Sequence, residues 1–150
     1  MPAYEIISVN HTSFTVSDLD RSIRFFSDCL KFHLVSREGR DVKTIERIVG
    51  VPGAEIEVAY LRGAGHVVEL IQYHKPSDRP SGRQNACDPG FAHLAFDVRN
   101  IDAVIRTAVK HGFSPLSDPV KTAKGGPNAG YRVCYLRDGD GVTIELIEKE

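Results

Sequence analysis

The chain has 150 residues, a formal net charge of −1 and a hydrophobic fraction of 41%, which suits one compact domain. Its near-zero charge and scattered basic residues exclude the electrostatic signature of a nucleic-acid or anionic-membrane binder. The sequence has no long apolar run, no signal-peptide pattern in residues 1–10 and only three cysteines, without CxxC spacing. We therefore expect a cytoplasmic protein with reduced thiols.

The first half of the chain predicts a strand, a helix and then further strands. Residues 6–16 alternate in hydrophobicity, which predicts a strand with His11 on its polar face. A helix is predicted from about Leu19, because Ser17 or Asp18 can cap its first turn. The buried stripe of this helix is predicted to be Leu19, Ile23, Phe26 and Leu30. The other elements predicted in this half are a strand near 33–37, a short helix over 42–49, and strands near 55–62 and 65–73.

The second half begins after residues 74–90, whose Pro, Gly, Ser and Asp content predicts a linker. A strand is predicted over 91–98, and Gly112 is placed to cap the following helix in the left-handed conformation. The residues predicted to face inward on that helix are Ile101, Val104, Ile105 and Val109. Strands over about 131–137 and 142–148 are joined by Asp138-Gly139-Asp140-Gly141, which is typical of a hairpin turn.

The two halves repeat one another. HTSFTVSDLDRSIR, which begins at His11, matches HLAFDVRNIDAVIR, which begins at His93. Further on, VAYLR matches VCYLR, and GHVVELI matches GVTIELI, which aligns Glu69 with Glu145. We therefore predict an α+β fold of two tandem βαβββ modules, at about 5–73 and 91–148, within a single domain of residues 1–150.

Two histidines and two glutamates occupy equivalent places in this repeat: His11, Glu69, His93 and Glu145. A carboxylate in the middle of an apolar strand is costly to bury without a partner. Equivalent elements of a repeat usually meet around a twofold axis, so a shared divalent cation would satisfy both carboxylates and both imidazoles. Two internal His–Glu ion pairs would satisfy the same four groups, and the sequence leaves that alternative open.

At these residues the chain resembles the vicinal oxygen chelate superfamily, which includes glyoxalase I, methylmalonyl-CoA epimerase, extradiol dioxygenases and bleomycin resistance proteins. The segments that carry the resemblance are HTSFTVSDLDRSIRFF, GFAHLAFDVRNID and YLRDGDGVTIELIE. The resemblance implies a cupped, mostly antiparallel sheet with helices outside. It also implies metal ligation by His11, Glu69, His93 and Glu145, the set that bacterial glyoxalase I carries on nickel or cobalt; zinc or manganese would suit the same donors.

The activity implied is that of a metal-dependent lyase or isomerase of the glyoxalase I type, acting on a small molecule with vicinal oxygens. A proton would leave the carbon beside a chelated carbonyl through an enediolate, with Glu145 or Glu69 as the base and Glu145 favoured. The resemblance also implies a homodimer. Three alternatives stay open: an acyl-CoA epimerase of the methylmalonyl-CoA type, an iron-dependent extradiol-type dioxygenase, and a non-catalytic resistance protein that binds its ligand.

Contacts to the substrate are less specific in the sequence. Basic side chains available to meet an anionic group are Arg37, Arg40, Arg47, Lys121 and Lys124. Aromatic side chains that could line the cup are Tyr60, Tyr73 and Tyr135. Among the cysteines, we expect Cys29 and Cys134 to be buried and Cys87 to lie in a loop.

Overall fold

The computed structural model describes residues 3–80, 84–123 and 125–149, which form two sheets, one from each half of the chain. The first module contains β1 (Thr12–Thr15), α1 (Leu19–Arg24), β2 (His33–Gly39), α2 (Val42–Val49), β3 (Glu55–Gly63) and β4 (His66–Lys75). Its strands lie in the order β1-β4-β3-β2, with β1 parallel to β4 and the other pairs antiparallel. None of the described helices is long and apolar enough to cross a membrane.

The second module contains β5 (Leu94–Val98), α3 (Ile101–Lys110), β6 (Ser114–Pro115), β7 (Val120–Lys121), β8 (Arg132–Arg137) and β9 (Thr143–Glu148). Its strands lie in the order β5-β9-β8-β6, and β7 also pairs with β8. Two short pieces, β6 and β7, thus stand where the first module has the single strand β2. With this difference, the predicted α+β arrangement of two βαβββ modules is confirmed.

The first strand is shorter than the sequence predicted. Alternation suggested a strand over 6–16, but pairing with β4 extends only from Thr12 to Thr15. Residues 3–10 form no strand. Their large apolar side chains are exposed, namely Tyr4, Ile6, Ile7 and Val9. A strand requires a hydrogen-bonded neighbour as well as an alternating pattern, and in one copy of the chain this segment has none.

Helix α1 begins as predicted and then widens. The Asp18 side chain accepts a hydrogen bond from the backbone N–H of Arg21 at 2.9 Å, so Asp18 is the N-terminal cap. The helix continues as a π-helical turn over Phe25–Cys29. The wider turn directs both Phe25 and Phe26 into the core, whereas an α-helical stripe predicted Phe26 alone.

One inward position predicted on α3 is wrong. Val109 is 53% exposed, and Ala108 is the fully buried residue of the last turn. Position 108 lies seven residues after Ile101, which is two helical turns, so it shares the inward face more closely than position 109 does. Gly112 follows the helix at φ 84°, which confirms the predicted left-handed cap.

The two modules share one hydrophobic core. The rings of Phe25 and Phe113 stack across the boundary with centroids 3.6 Å apart and planes 16° apart. At the rim of this core, the guanidinium of Arg21 donates to the carboxylate of Asp140 at 2.8 Å. Asp140 lies in the predicted hairpin turn between β8 and β9, so a turn of the second module is joined to the first helix.

Candidate metal centre

The first module brings His11 and Glu69 together. Glu69 lies on β4 directly opposite Ser13 on β1 and Tyr60 on β3. The Ser13 hydroxyl donates to Oε1 of Glu69 at 2.8 Å, and the Tyr60 hydroxyl donates to Oε2. Nε2 of His11 lies 3.4 Å from Oε1 of Glu69. A buried carboxylate is therefore held by two hydroxyl donors beside an imidazole.

Asn10 determines which ring nitrogen of His11 faces Glu69. Oδ1 of Asn10 accepts a hydrogen bond from Nδ1 of His11 at 2.7 Å, so Nδ1 carries the proton. In the neutral ring, Nε2 then presents a lone pair toward Glu69. A lone pair beside a carboxylate is an arrangement that a cation stabilises, and hydrogen bonding of the opposite nitrogen is typical of metal-binding histidines.

The second module brings His93 and Glu145 together. Glu145 lies on β9 opposite Ala95 on β5 and Tyr135 on β8, in the same register as Glu69 in the first sheet. Nε2 of His93 lies 3.0 Å from Oε2 of Glu145. The Tyr135 hydroxyl lies 3.4 Å from Nδ1 of His93 instead of reaching the carboxylate. Both sheets thus present a His–Glu pair, but with different hydrogen-bonding partners.

Two substitutions between the repeats account for the partners that the second pair lacks. Ala95 stands where the first module has Ser13, and Ala92 stands where it has Asn10. Alanine supplies no hydroxyl or amide, so Glu145 and His93 lose the partners that hold Glu69 and His11. Among the described residues, the hydrogen bond of the Glu145 carboxylate is the one to His93, and Oε1 has no donor.

The four predicted ligands form two separate pairs within one copy of the chain. No three His, Cys, Asp or Glu side chains of the described residues lie close enough together to hold a metal ion. Each pair nevertheless offers one imidazole nitrogen and one carboxylate oxygen, the donor types that nickel, cobalt, zinc and manganese accept. The donor set therefore fits a divalent metal, but each pair by itself supplies half of a four-ligand site.

The tyrosine beside each pair stays protonated over a wide pH range. The hydrogen bond to Glu69, followed by burial, raises the pKa of the Tyr60 phenol. Burial, with a smaller effect of the Glu145 charge, raises the pKa of the Tyr135 phenol. Both hydroxyls are therefore available as hydrogen-bond donors at neutral pH.

The basic residues suggested for anion binding have different environments. Arg37 is committed to ion pairs with Glu57, at 2.8 Å, and Asp20. Arg47 is on the exposed side of α2, and Lys121 lies on β7, at a separate surface pocket of the second module. Lys124 lies outside the described residues. Of the four that the structure describes, Arg40 alone lines the same cavity as His11 and Glu69.

Two tyrosines of the predicted lining reach the pairs and the third does not. Tyr60 and Tyr135 contact the ligand candidates directly. Tyr73 instead packs with the apolar residues under α2, and the guanidinium carbon of Arg79 lies 5.5 Å from the centre of its ring. Asn10 and Ser13 are not among the predicted site residues. The position of Ser13 two residues after His11, on the same face of a strand, was the available signal.

The family model of the glyoxalase/bleomycin resistance protein/dioxygenase superfamily matches residues 8–146, and the chain belongs to this superfamily. A 2-epi-5-epi-valiolone epimerase of an Actinomyces species is 33% identical over 147 residues, covering 94% of this chain and 79% of the epimerase. The lactoylglutathione lyase of Haemophilus influenzae is 27% identical over 149 residues, covering 96% and 94%. These relatives are enzymes that carry out two different reactions.

Solved structures agree with the fold. A glyoxalase family protein from Bacillus cereus superposes with a TM-score of 0.83 at 24% identity, covering 99% of this chain and 97% of that one. A fosfomycin resistance protein from Listeria monocytogenes, in complex with Mn(II) and a dihydroxypropylphosphonic acid, superposes with a TM-score of 0.60 at 16% identity, covering 97% and 95%. At these identities, the likeness shows a common architecture.

Proposed function

We propose that this protein is a metal-dependent lyase or isomerase that removes a proton from the carbon next to a chelated carbonyl group. The observation that carries the proposal is the pair of matching half-sites, His11 with Glu69 and His93 with Glu145, in the same register of two sheets. The metal ligands proposed are these four residues. A divalent metal, when bound, would supply Lewis-acid polarisation of the carbonyl oxygen.

We further propose that one complete site takes a half-site from each of two copies of the chain. Within one copy, the described ligand candidates remain two pairs. His11 immediately precedes β1, and His93 immediately precedes β5. Among the described strands, β1 and β5 each lie at an edge of their sheet. The segment leading to His11 carries four large apolar side chains that are 77–89% exposed, a surface that a second copy would cover.

Glu145 is the better candidate for the base. Hydroxyls of Ser13 and Tyr60 occupy both oxygens of Glu69, which would hold that carboxylate as a fixed ligand. Glu145 has an oxygen without a donor among the described residues, so it is placed to leave a ligand position and accept a proton. The Tyr135 hydroxyl, which lies at Nδ1 of His93, would hold the His93 ring in place beside that carboxyl group.

Mixing two inactive variants tests the composite site. One variant carries His11→Ala and Glu69→Ala, and the other carries His93→Ala and Glu145→Ala. In a mixed dimer with sites between protomers, one site has all four ligands and the other has none. Random exchange of subunits between the two variants should therefore restore about a quarter of the wild-type metal content. Half of the dimers are then mixed, and half of the sites in a mixed dimer are intact.

The control is each variant alone, which should stay metal-poor after the same exchange procedure. If mixing restores no metal, whereas the wild type binds it, the site lies within one chain. If the reconstituted wild-type protein binds no divalent metal at all, the His–Glu ion pairs are the whole role of these residues, and a metal-free binding protein becomes the better interpretation.

A second candidate within this class is an epimerase, which the 33%-identical relative favours over a glutathione-dependent lyase. An epimerase returns the proton to the same carbon, whereas a glyoxalase moves it to the adjacent one. Turnover in deuterium oxide with candidate substrates separates them, because the position of the deuterium in the product, read by NMR, differs. Oxygen consumption with a catechol would instead support the iron-dependent dioxygenase.

A further inference from the structure

A cavity of about 490 Å³ lies between α2 and the first sheet and opens at the His11–Glu69 pair. Its volume is in the range of ordinary small-molecule sites. The wall divides into two parts. The part beneath α2 is aliphatic and is formed by Ile45, Ile48, Val49, Ile56, Val58 and Ile71. The part at the metal-ligand candidates is polar and includes Arg40 and Tyr60.

Helix α2 forms one side of the aliphatic part of the cavity. Ile45 and Val49 pack against Ile56 and Val58 on β3, which form a hydrophobic cluster separate from the main core. No residue of α2 is fully buried, and Ile48 is 72% exposed, so apolar surface of the helix stays open to solvent at the cavity. An apolar ligand group placed there would remove from water the exposed surface of Ile48 and the partly exposed surface of Ile45 and Ile71.

Arg40 stands where the aliphatic part meets the polar part. Its guanidinium carbon lies 6.0 Å from the centre of the Tyr60 ring. Its nearest carboxylate, that of Glu38, is 3.8 Å away and is itself well exposed. The other contacts of Nη1 are carbonyl oxygens of Glu38 and Gly39 at 3.3–3.4 Å. Because an exposed ion pair of this length contributes little, Arg40 is available to bind an anion.

Resting on the proposed function, we infer that the substrate is an aliphatic carboxylic acid with an oxygen on the neighbouring carbon, of the 2-oxo acid type. Its 2-oxo oxygen and one carboxylate oxygen lie at the metal-ligand candidates, its other carboxylate oxygen meets Arg40, and its alkyl chain lies against the aliphatic wall at α2. A peptide-like thiol adduct does not suit the same space, since its amides would lose hydrogen bonds to water against aliphatic walls.

A homologous series of 2-oxo acids tests this assignment. Pyruvate, 2-oxobutyrate, 2-oxohexanoate and 2-oxooctanoate are titrated calorimetrically into full-length protein, both metal-free and loaded with Mn²⁺ or Ni²⁺. The Kd should fall roughly threefold for each added methylene until the cavity is filled. Ile45→Trp, which fills the cavity from the side of α2, should abolish this dependence on chain length.

Three further substitutions make the result specific. Lys43→Trp adds the same side chain to the exposed face of α2 and should leave the dependence on chain length intact. Arg40→Gln should weaken binding of every acid in the series by roughly tenfold or more, because a charged hydrogen bond is lost, and Arg40→Lys should recover part of it. Circular dichroism verifies that each variant is folded.

The outcomes separate this inference from the proposed function. A wild-type protein that binds metal, yet whose affinity for the acids does not depend on chain length, overturns the inference and leaves the proposed function standing. An unchanged chain-length dependence in Ile45→Trp, or unaltered binding in Arg40→Gln, also overturns it. The His11→Ala/Glu145→Ala variant should lose metal but keep the chain-length dependence seen in the metal-free protein.

Discussion

Tyr60 and Tyr135 occupy the same position in the two sheets, yet they contact different members of the adjacent His–Glu pair. Tyr60 donates to the carboxylate of Glu69, whereas the Tyr135 hydroxyl lies at Nδ1 of His93. The first arrangement stabilises a negative carboxylate, and the second orients an imidazole ring. The two half-sites are therefore chemically distinct despite their shared register.

The hydrogen bonds of the first half-site should contribute to metal affinity. Tyr60→Phe removes one donor to Glu69 and Ser13→Ala removes the other. Each should weaken metal binding by about 10- to 100-fold, the usual effect of losing a partner of a metal ligand. Competition with a fluorescent chelator measures this effect. Tyr73→Phe, on a tyrosine that contacts neither pair, is the matched control, and an equal loss in that variant would show that the effect does not come from the contact with Glu69.

The two glutamates should respond differently to amide substitution. Glu145→Gln should abolish turnover while retaining much of the metal, because an amide can ligate through its oxygen but cannot accept the proton. Glu69→Gln should mainly lower metal affinity, since it weakens the ligand that Ser13 and Tyr60 hold. Metal content and exchange of substrate protons with deuterium oxide are measured on both variants. Full proton exchange in Glu145→Gln would assign the base to another residue.

The ring stack between the modules should be a main determinant of stability. Phe113→Ala should lower the free energy of unfolding by about 3–5 kcal/mol, because it removes a nearly buried aromatic side chain and leaves a cavity against Phe25. Urea denaturation measures the change. Leu116→Ala, on a side chain that is 54% exposed, should change it by about 0.5 kcal/mol or less. Similar effects of the two substitutions would exclude the stack as a major contribution.

The three thiols should differ in reactivity. Burial raises the pKa of Cys29 to about 11 and also raises the pKa of Cys134, so both thiols stay protonated at neutral pH. Cys87 is exposed. Ellman's reagent at neutral pH should therefore modify one thiol per chain rapidly, and Cys87→Ser should abolish this rapid reaction. Rapid modification of all three in the folded protein would show that Cys29 and Cys134 are accessible.

Acidic pH should destabilise the N-terminal turn of α3. Arg132 holds the pKa of Asp102 below its usual range through hydrogen bonds at 3.1 and 3.2 Å. A lowered folded-state pKa gives stability that is complete above the unfolded value, about pH 4, and is lost as the pH falls through the folded value. Arg132→Gln should lose less stability between neutral and acidic pH than the wild type does. Parallel loss in both, measured by urea midpoints, would contradict this contribution of Arg132.

The repeat was sufficient to predict the architecture. It predicted that His11, Glu69, His93 and Glu145 form one site and left two His–Glu ion pairs open as the alternative. It was not sufficient to predict β1, because an alternating pattern at residues 6–11 says nothing about whether a neighbouring strand is present. The contributions of Asn10 and Arg40 depend on side-chain orientation and on the position of α2 over the sheet, neither of which follows from spacing along the chain. Metal ligation by the four residues stays a prediction, which the mixing experiment tests.

The replacement of Ser13 and Asn10 by alanines at 95 and 92 has a consequence for how the duplicated halves divide their work. If the carboxylates act as proposed, a chain made of two first modules would bind metal firmly but lack a carboxylate able to take a proton. A chain made of two second modules would have mobile carboxylates but a weakly held metal. Divergence of these two positions between the repeats would thus give a site in which one repeat holds the metal and the other transfers the proton.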